Sequence, residues 1–139
     1  MANSSQSELL LKLVALHTKI QRQLSGPLSF HGISFTEFQV LKQLHSAPAQ
    51  KMRRIDLAQQ VGLSASGVTR LLNPMEKVGL ISKEVAARDA RVSLVTLTGA
   101  GKTVFKDADV SFRQVAGSVM ASLAEDDQQH LRRITDSLL

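Results

Sequence analysis

Apolar residues recur along this chain in distinct rhythms, and each rhythm predicts an element. Near the start, Leu9, Leu10, Leu13, Leu16, Ile20 and Leu24 form the stripe of an amphipathic helix. The capping-box spacing Ser5-x-x-Glu8 should open it and Gly26-Pro27 should stop it. A second capping box, Ser34-x-x-Glu37, opens a helix carrying Phe35, Phe38, Val40, Leu41 and Leu44, which ends before Ala47-Pro48. Late in the chain, Phe105, Ala108, Phe112, Val115, Val119 and Leu123 alternate spacings of three and four, as in a coiled-coil seam. A short final helix carries Leu131, Ile134 and Leu138, with Glu125, Asp126 and Asp127 favourably near its positive end.

The middle of the chain reads as two crossed helices. Ala58 is small where the second must pass close to the first, and Gly62 can take the positive φ that ends the first. Val61, Leu63 and Val68 close the corner, with Ile55, Leu57, Leu71 and Leu72 as further apolar contacts. Ser64, Ser66, Thr69 and Arg70 fall on the opposite side, a polar face able to enter a DNA major groove. Pro74 removes an amide donor late in this helix and should bend or loosen it early. Met75, Val78, Leu80 and Ile81 around Gly79 then lead into an extended run. Val85 before, and Val92, Leu94 and Leu97 after, a polar tip from Ala86 to Arg91 predict a β-hairpin. Without Asn-Gly or Asp-Gly the tip should be a long, loose, basic loop, suited to a narrow minor groove.

This order of elements resembles the MarR family of bacterial winged-helix regulators. The resemblance is carried by Leu57-Ala58, Gly62-Leu63-Ser64, Val68-Thr69-Arg70-Leu71, the run Met75 to Ile81, and Asp89-x-Arg91 followed by Leu97-Thr98. It implies a mainly α fold with a small β-hairpin wing: a winged helix-turn-helix over 34–98, between dimerisation helices at 1–33 and 99–139. It also implies that Asp89 orients an arginine through a salt bridge, without touching the DNA.

Charge distribution fits such a reading head. The 139-residue chain has a formal net charge of +5. Lys51, Arg53, Arg54, Arg70, Lys77, Lys83, Arg88 and Arg91 face only Asp56, Glu76, Glu84 and Asp89 over the same stretch, so most of the excess lies there. Ser64 should cap the recognition helix and offer its amide end to a phosphate. Ser66, Thr69 and Arg70 should face base edges, with Arg70 the best candidate for reading guanine. Lys51, Arg53 and Arg54 should clamp backbone phosphates, and Arg91, with Arg88 beside it, should insert into the minor groove.

Composition removes other classes. No apolar run approaches the roughly 18 residues a membrane span requires, and no charged-then-apolar leader is present, so a cytoplasmic protein is expected. The absence of cysteine excludes disulfides and thiol redox sensing. Gly99-Ala100-Gly101-Lys102-Thr103 imitates a phosphate-binding loop, but Thr96 stands where that motif needs its first glycine. Thr98 reads better as a helix cap, with Gly99 and Gly101 giving room for close chain approach. His17, His31, His45 and His130 are scattered without metal-ligand spacing, although His17 borders the first apolar stripe and could face a cavity.

No enzyme and no cofactor is therefore expected. The terminal helices carry more apolar surface than one small monomer covers, so a homodimer is expected, placing two recognition helices on a pseudo-palindromic operator in double-stranded DNA. The reading is a sequence-specific transcriptional regulator acting as a repressor, and the family resemblance implies that it responds to a small aromatic or anionic effector, which no residue of this chain identifies. The alternative is a winged-helix module for protein contact or constitutive DNA binding.

Overall fold

The structure, a computed structural model, describes residues 2–86 and 88–139. Its first helix, α1 (Ala2–Ser29), begins before Ser5 and runs through Gly26-Pro27, so neither the predicted cap nor the predicted stop marks an end. Proline in a helix interior costs about 3 kcal/mol. Leu24 and Leu28 are nearly or wholly inaccessible on the same face, and each such burial contributes about 1.5–3 kcal/mol, enough together to carry the helix past Pro27. The chain then turns, with the Ile33 N–H donating to the Leu28 carbonyl at 3.4 Å.

Helix α2 (Phe35–Ser46) opens with the complete capping box: the Glu37 N–H donates to Ser34 Oγ at 3.1 Å and the Ser34 N–H to Glu37 Oε1 at 2.8 Å. After a 3₁₀ turn at Pro48–Gln50 comes a short strand, β1 (Lys51–Arg53). The helix-turn-helix consists of α3 (Arg54–Val61) and α4 (Ala65–Lys77). Gly62 joins them at φ 71°. Ile55 is exposed rather than part of their contact, because the buried side of α3 runs through Leu57 and Ala58. The early loosening expected at Pro74 is absent: α4 continues to Lys77, held by Leu72 and Met75, both wholly buried.

The wing is β2 (Ile81–Ala86) and β3 (Asp89–Leu97), and with β1 it forms an antiparallel sheet of order β1-β3-β2. Lys51 pairs with Thr96 and Arg53 with Leu94, while Ile81 pairs with Leu97 and Val85 with Ser93. The strands extend further into the tip than the loose loop predicted, since Ala86 pairs with Asp89. A register shift between Val85 and Ala86 supplies the local twist that a glycine turn would otherwise provide. Ala87, within the predicted loop, lies outside the described residues.

Helix α5 (Gly99–Met120) starts at Thr98, whose Oγ1 accepts the Gly101 N–H at 3.0 Å and donates to the Gly79 carbonyl at 2.6 Å. Gly101 is the close approach: a Cβ there would lie 2.0 Å from the Leu80 carbonyl oxygen. Gly99 has open space around it, contrary to expectation. The α5 seam is spent largely inside the chain. Phe105 and Ala108 are buried, and the Phe112 ring stacks on Phe38 at 4.7 Å and on Phe35 at 6.4 Å. Helix α6 (Glu125–Leu138) follows, with its acidic first turn as expected.

One apolar cluster joins the end of α1, all three central helices, the wing base and the start of α5. The outer half of α1 and all of α6 stay outside it, leaving Leu9, Leu10, Leu13, Leu131, Ile134 and Leu138 exposed. His17 is also exposed.

Candidate nucleic-acid interface

Two faces of α4 follow from its periodicity. Val68, Leu72 and Met75 are wholly buried, and Ser66, Arg70, Asn73 and Lys77 recur at helical spacing on the opposite, exposed side. Ser64 caps the helix through the Gly67 N–H at 3.0 Å, and its hydroxyl lies 3.3 Å from that of Ser66. The first N–H groups of a helix lack intrahelical acceptors, and such an end is the usual setting for a phosphate.

Thr69 sits between the two faces and its hydroxyl is already engaged. It donates to the Ala65 carbonyl at 3.1 Å and accepts from Nη1 of Arg54. Arg54 thus braces α3 against α4 through one of its five N–H groups.

The ion pairs sort the basic residues of the head. Arg53 Nε lies 2.9 Å from Asp56 Oδ2, Lys51 Nζ 2.7 Å from Glu84 Oε1, Arg91 Nε 3.2 Å from Asp89 Oδ1, and Lys83 Nζ 4.0 Å from Glu76 Oε1. These pairs use every acidic side chain between Lys51 and Arg91. The positive excess is therefore carried by Arg54, Arg70, Lys77 and Arg88, which have no carboxylate partner among the described residues. Lys51 reaches Glu84 across the intervening β3, bracing the sheet.

Protonation follows the same partners. The hydrogen bond from Arg53 holds the Asp56 carboxyl below its ordinary value, and Asp56 in turn raises Arg53. Asp89 is lowered first by the Arg91 backbone N–H and then by the Arg91 side chain. Its Oδ1 accepts the former at 2.9 Å and the latter at 3.2 Å. The Arg91 side chain is otherwise in solvent, 91% exposed.

Of the residues singled out from sequence, Ser64, Ser66, Thr69 and Arg70 come together on or beside the outer face of α4. Arg53 and Arg54 flank the start of α3, Lys51 lies in β1, and Arg88, Asp89 and Arg91 lie at the wing tip. Sequence reasoning passed over Lys77, whose spacing of seven from Arg70 marks the same helix face, and Asn73, which accepts a hydrogen bond from Lys83. Nothing local to Asn73 or Lys83 announces that contact.

Residues 31–92, which contain all of these positions, match the MarR family model. Among relatives, the HTH-type transcriptional regulator YwaE of Bacillus subtilis is 27% identical over 115 residues, covering 80% of this chain, and the chain spans 66% of that relative's length. An HTH-type transcriptional repressor of Mycobacterium tuberculosis is 24% identical over 119 residues, covering 86% of this chain and 84% of its own. The fold is shared with Sco3205, a MarR family transcriptional regulator from Streptomyces coelicolor solved in complex with DNA, at a TM-score of 0.88 and 19% identity over 97% of this chain and 86% of that one. It is likewise shared with a mutant MarR from E. coli complexed with operator DNA, at a TM-score of 0.85 and 22% identity over 94% and 93% of the two chains.

Proposed function

We infer that this chain, a MarR-family winged-helix protein over residues 31–92, is a sequence-specific DNA-binding transcriptional regulator. The observation that carries this reading is the segregation of charge. Every carboxylate between Lys51 and Arg91 is matched to a cation, and among the described residues Arg70 and Lys77 stand free of carboxylates on the exposed stripe of the helix shaped to enter a groove. In this reading Arg70 contacts base edges with Ser66, and the Ser64 amide end, Arg54 and Lys77 take phosphates. Arg53 and Lys51 support that clamp, while Arg91, held by Asp89, and Arg88 enter the minor groove.

The reading extends to assembly, with 34–98 as the reading head and 1–33 and 99–139 as dimerisation arms. The uncovered apolar positions of α1 and α6 are best covered by a second copy, which would set two recognition helices on a pseudo-palindromic operator. Repression, with action in the cytoplasm, is the expected mode. A small effector would act where α1 meets α2, beside a cavity of about 480 Å³ lined by Gln21, Ser25, Ile33, Phe35 and Glu37. The Glu37 carboxylate disfavours an anion there, so an aromatic molecule fits better than an anionic one.

Selection from a random duplex library tests the central point. The selected duplex should bind on the order of nanomolar, far tighter than scrambled duplex, and weaken steeply with salt. Equal binding to both would overturn sequence-specific regulation.

A further inference from the structure

Lys83 ties the wing to the recognition helix at both its backbone and its side chain. In the sheet order β1-β3-β2, β2 is an edge strand whose outer amides have no strand to pair with. On that edge the Lys83 N–H donates to Glu76 Oε2 at 3.1 Å. The Lys83 ammonium turns back onto α4, donating to Asn73 Oδ1 and lying 4.0 Å from Glu76 Oε1. Asn73 and Glu76 are one helical turn apart, so both acceptors meet the same point of β2. The side chain is 27% exposed, the least of the cations paired within the head.

The covalent link between these elements is only the turn through Val78, Gly79 and Leu80, with Gly79 at φ 85°. That turn, whose Gly79 and Leu80 carbonyls accept from Thr98, fixes where the wing starts, and two residues farther along β2 the tie to α4 runs through Lys83. A wing tip and a reading helix that enter different grooves must keep a fixed angle, because a small rotation at the base displaces the tip by more than a hydrogen bond tolerates.

We propose that Lys83, with Asn73 and Glu76 as its acceptors, is a positioning residue: it sets the angle of the wing to the recognition helix, so that major- and minor-groove contacts are made together. This rests on the DNA-binding reading above. The rival role is a direct phosphate contact, since Asn73 lies on the stripe that carries Arg70 and Lys77. The two roles differ in what they do to salt dependence and in how they couple to Arg91.

The test uses the full chain and the duplex selected by the parent protein, with Lys83→Met, Glu76→Ala and Glu76→Gln, each also made in an Arg91→Ala background. Lys83→Met and Glu76→Ala should each weaken binding about tenfold and leave the slope of log affinity against log salt unchanged. Glu76→Gln, which keeps an oxygen for the Lys83 N–H, should recover most of the loss. In the Arg91→Ala background both losses should largely vanish, since a wing that no longer inserts gains nothing from being held. A slope reduced by about one for Lys83→Met, or a loss that persists undiminished without Arg91, would overturn the proposal. If the parent does not prefer its selected duplex to scrambled DNA, the DNA-binding reading itself fails, and this inference with it.

Discussion

Asp89 holds Arg91 twice through a single oxygen, Oδ1, which accepts the backbone N–H at 2.9 Å and the guanidinium Nε–H at 3.2 Å. The carboxyl is held below its ordinary range by these bonds. A carboxyl whose folded value is depressed contributes above its unfolded value and loses that contribution as pH falls through the folded one. Wing geometry should therefore be constant from neutral pH down through weak acid, and change only below the normal aspartate range. Carboxyl-carbon NMR should show Asp89 titrating lower than an unpaired aspartate; an ordinary midpoint would mean that Arg91 is not held.

The apolar arm makes a prediction that separates packing from assembly. Phe112 stacks on Phe38 and Phe35 within the chain, so Phe112→Glu should lower unfolding stability by about 2–4 kcal/mol and is a poor probe of the dimer. Leu10→Glu and Ile134→Glu instead place charge on uncovered surface. They should leave secondary structure intact and shift sedimentation toward monomer, with weaker binding to the selected duplex. Dimers of full strength in both variants would place the interface elsewhere.

The joint between the wing and α5 predicts opposite outcomes at neighbouring glycines. A methyl at Gly101 would meet the Leu80 carbonyl at 2.0 Å, and that backbone is fixed because the Leu80 oxygen also accepts the Thr98 N–H at 3.2 Å. Gly101→Ala should cost about 1–3 kcal/mol or more as overpacking against rigid backbone. Gly99→Ala, in open space inside a helix, should stabilise by about 0.4–1 kcal/mol. Thermal and urea unfolding of the two variants would check this, and equal effects would contradict the close approach.

What could be read from sequence was what local chemistry decides. Gly62, Ser64, Ser34 with Glu37, and Thr98 each act within a few residues, and each takes the expected cap or turn. Pro27 and Pro74 misled because their local penalty is outweighed by burial of Leu28 and Met75 against residues far along the chain. Strand β1 is three residues long and exists only by pairing with β3, so no periodicity could announce it. The same holds for the site: the spacing of Arg70 was visible, whereas the pairing of Lys51 with Glu84 and of Lys83 with Asn73 depends on how the sheet meets the helices.

The last prediction distinguishes the two DNA-reading elements by how each fails. Arg70 stands on the exposed stripe of α4 without a carboxylate partner among the described residues, and in the proposed reading it donates to a base edge. Arg70→Ala should cost about 1–3 kcal/mol at one position in each half-site and relax discrimination there. Arg91 extends from the wing, and in the proposed reading groove width rather than base identity sets its contact. Arg91→Ala should therefore lower affinity with little change in the preferred major-groove bases. Asp89→Ala should do the same more weakly, since the arginine remains and loses only its orientation. Binding-site selection on the three variants beside the parent makes the comparison. Unchanged base preferences for Arg70→Ala would remove it from base reading, and undiminished affinity for Arg91→Ala would remove the wing from the minor groove.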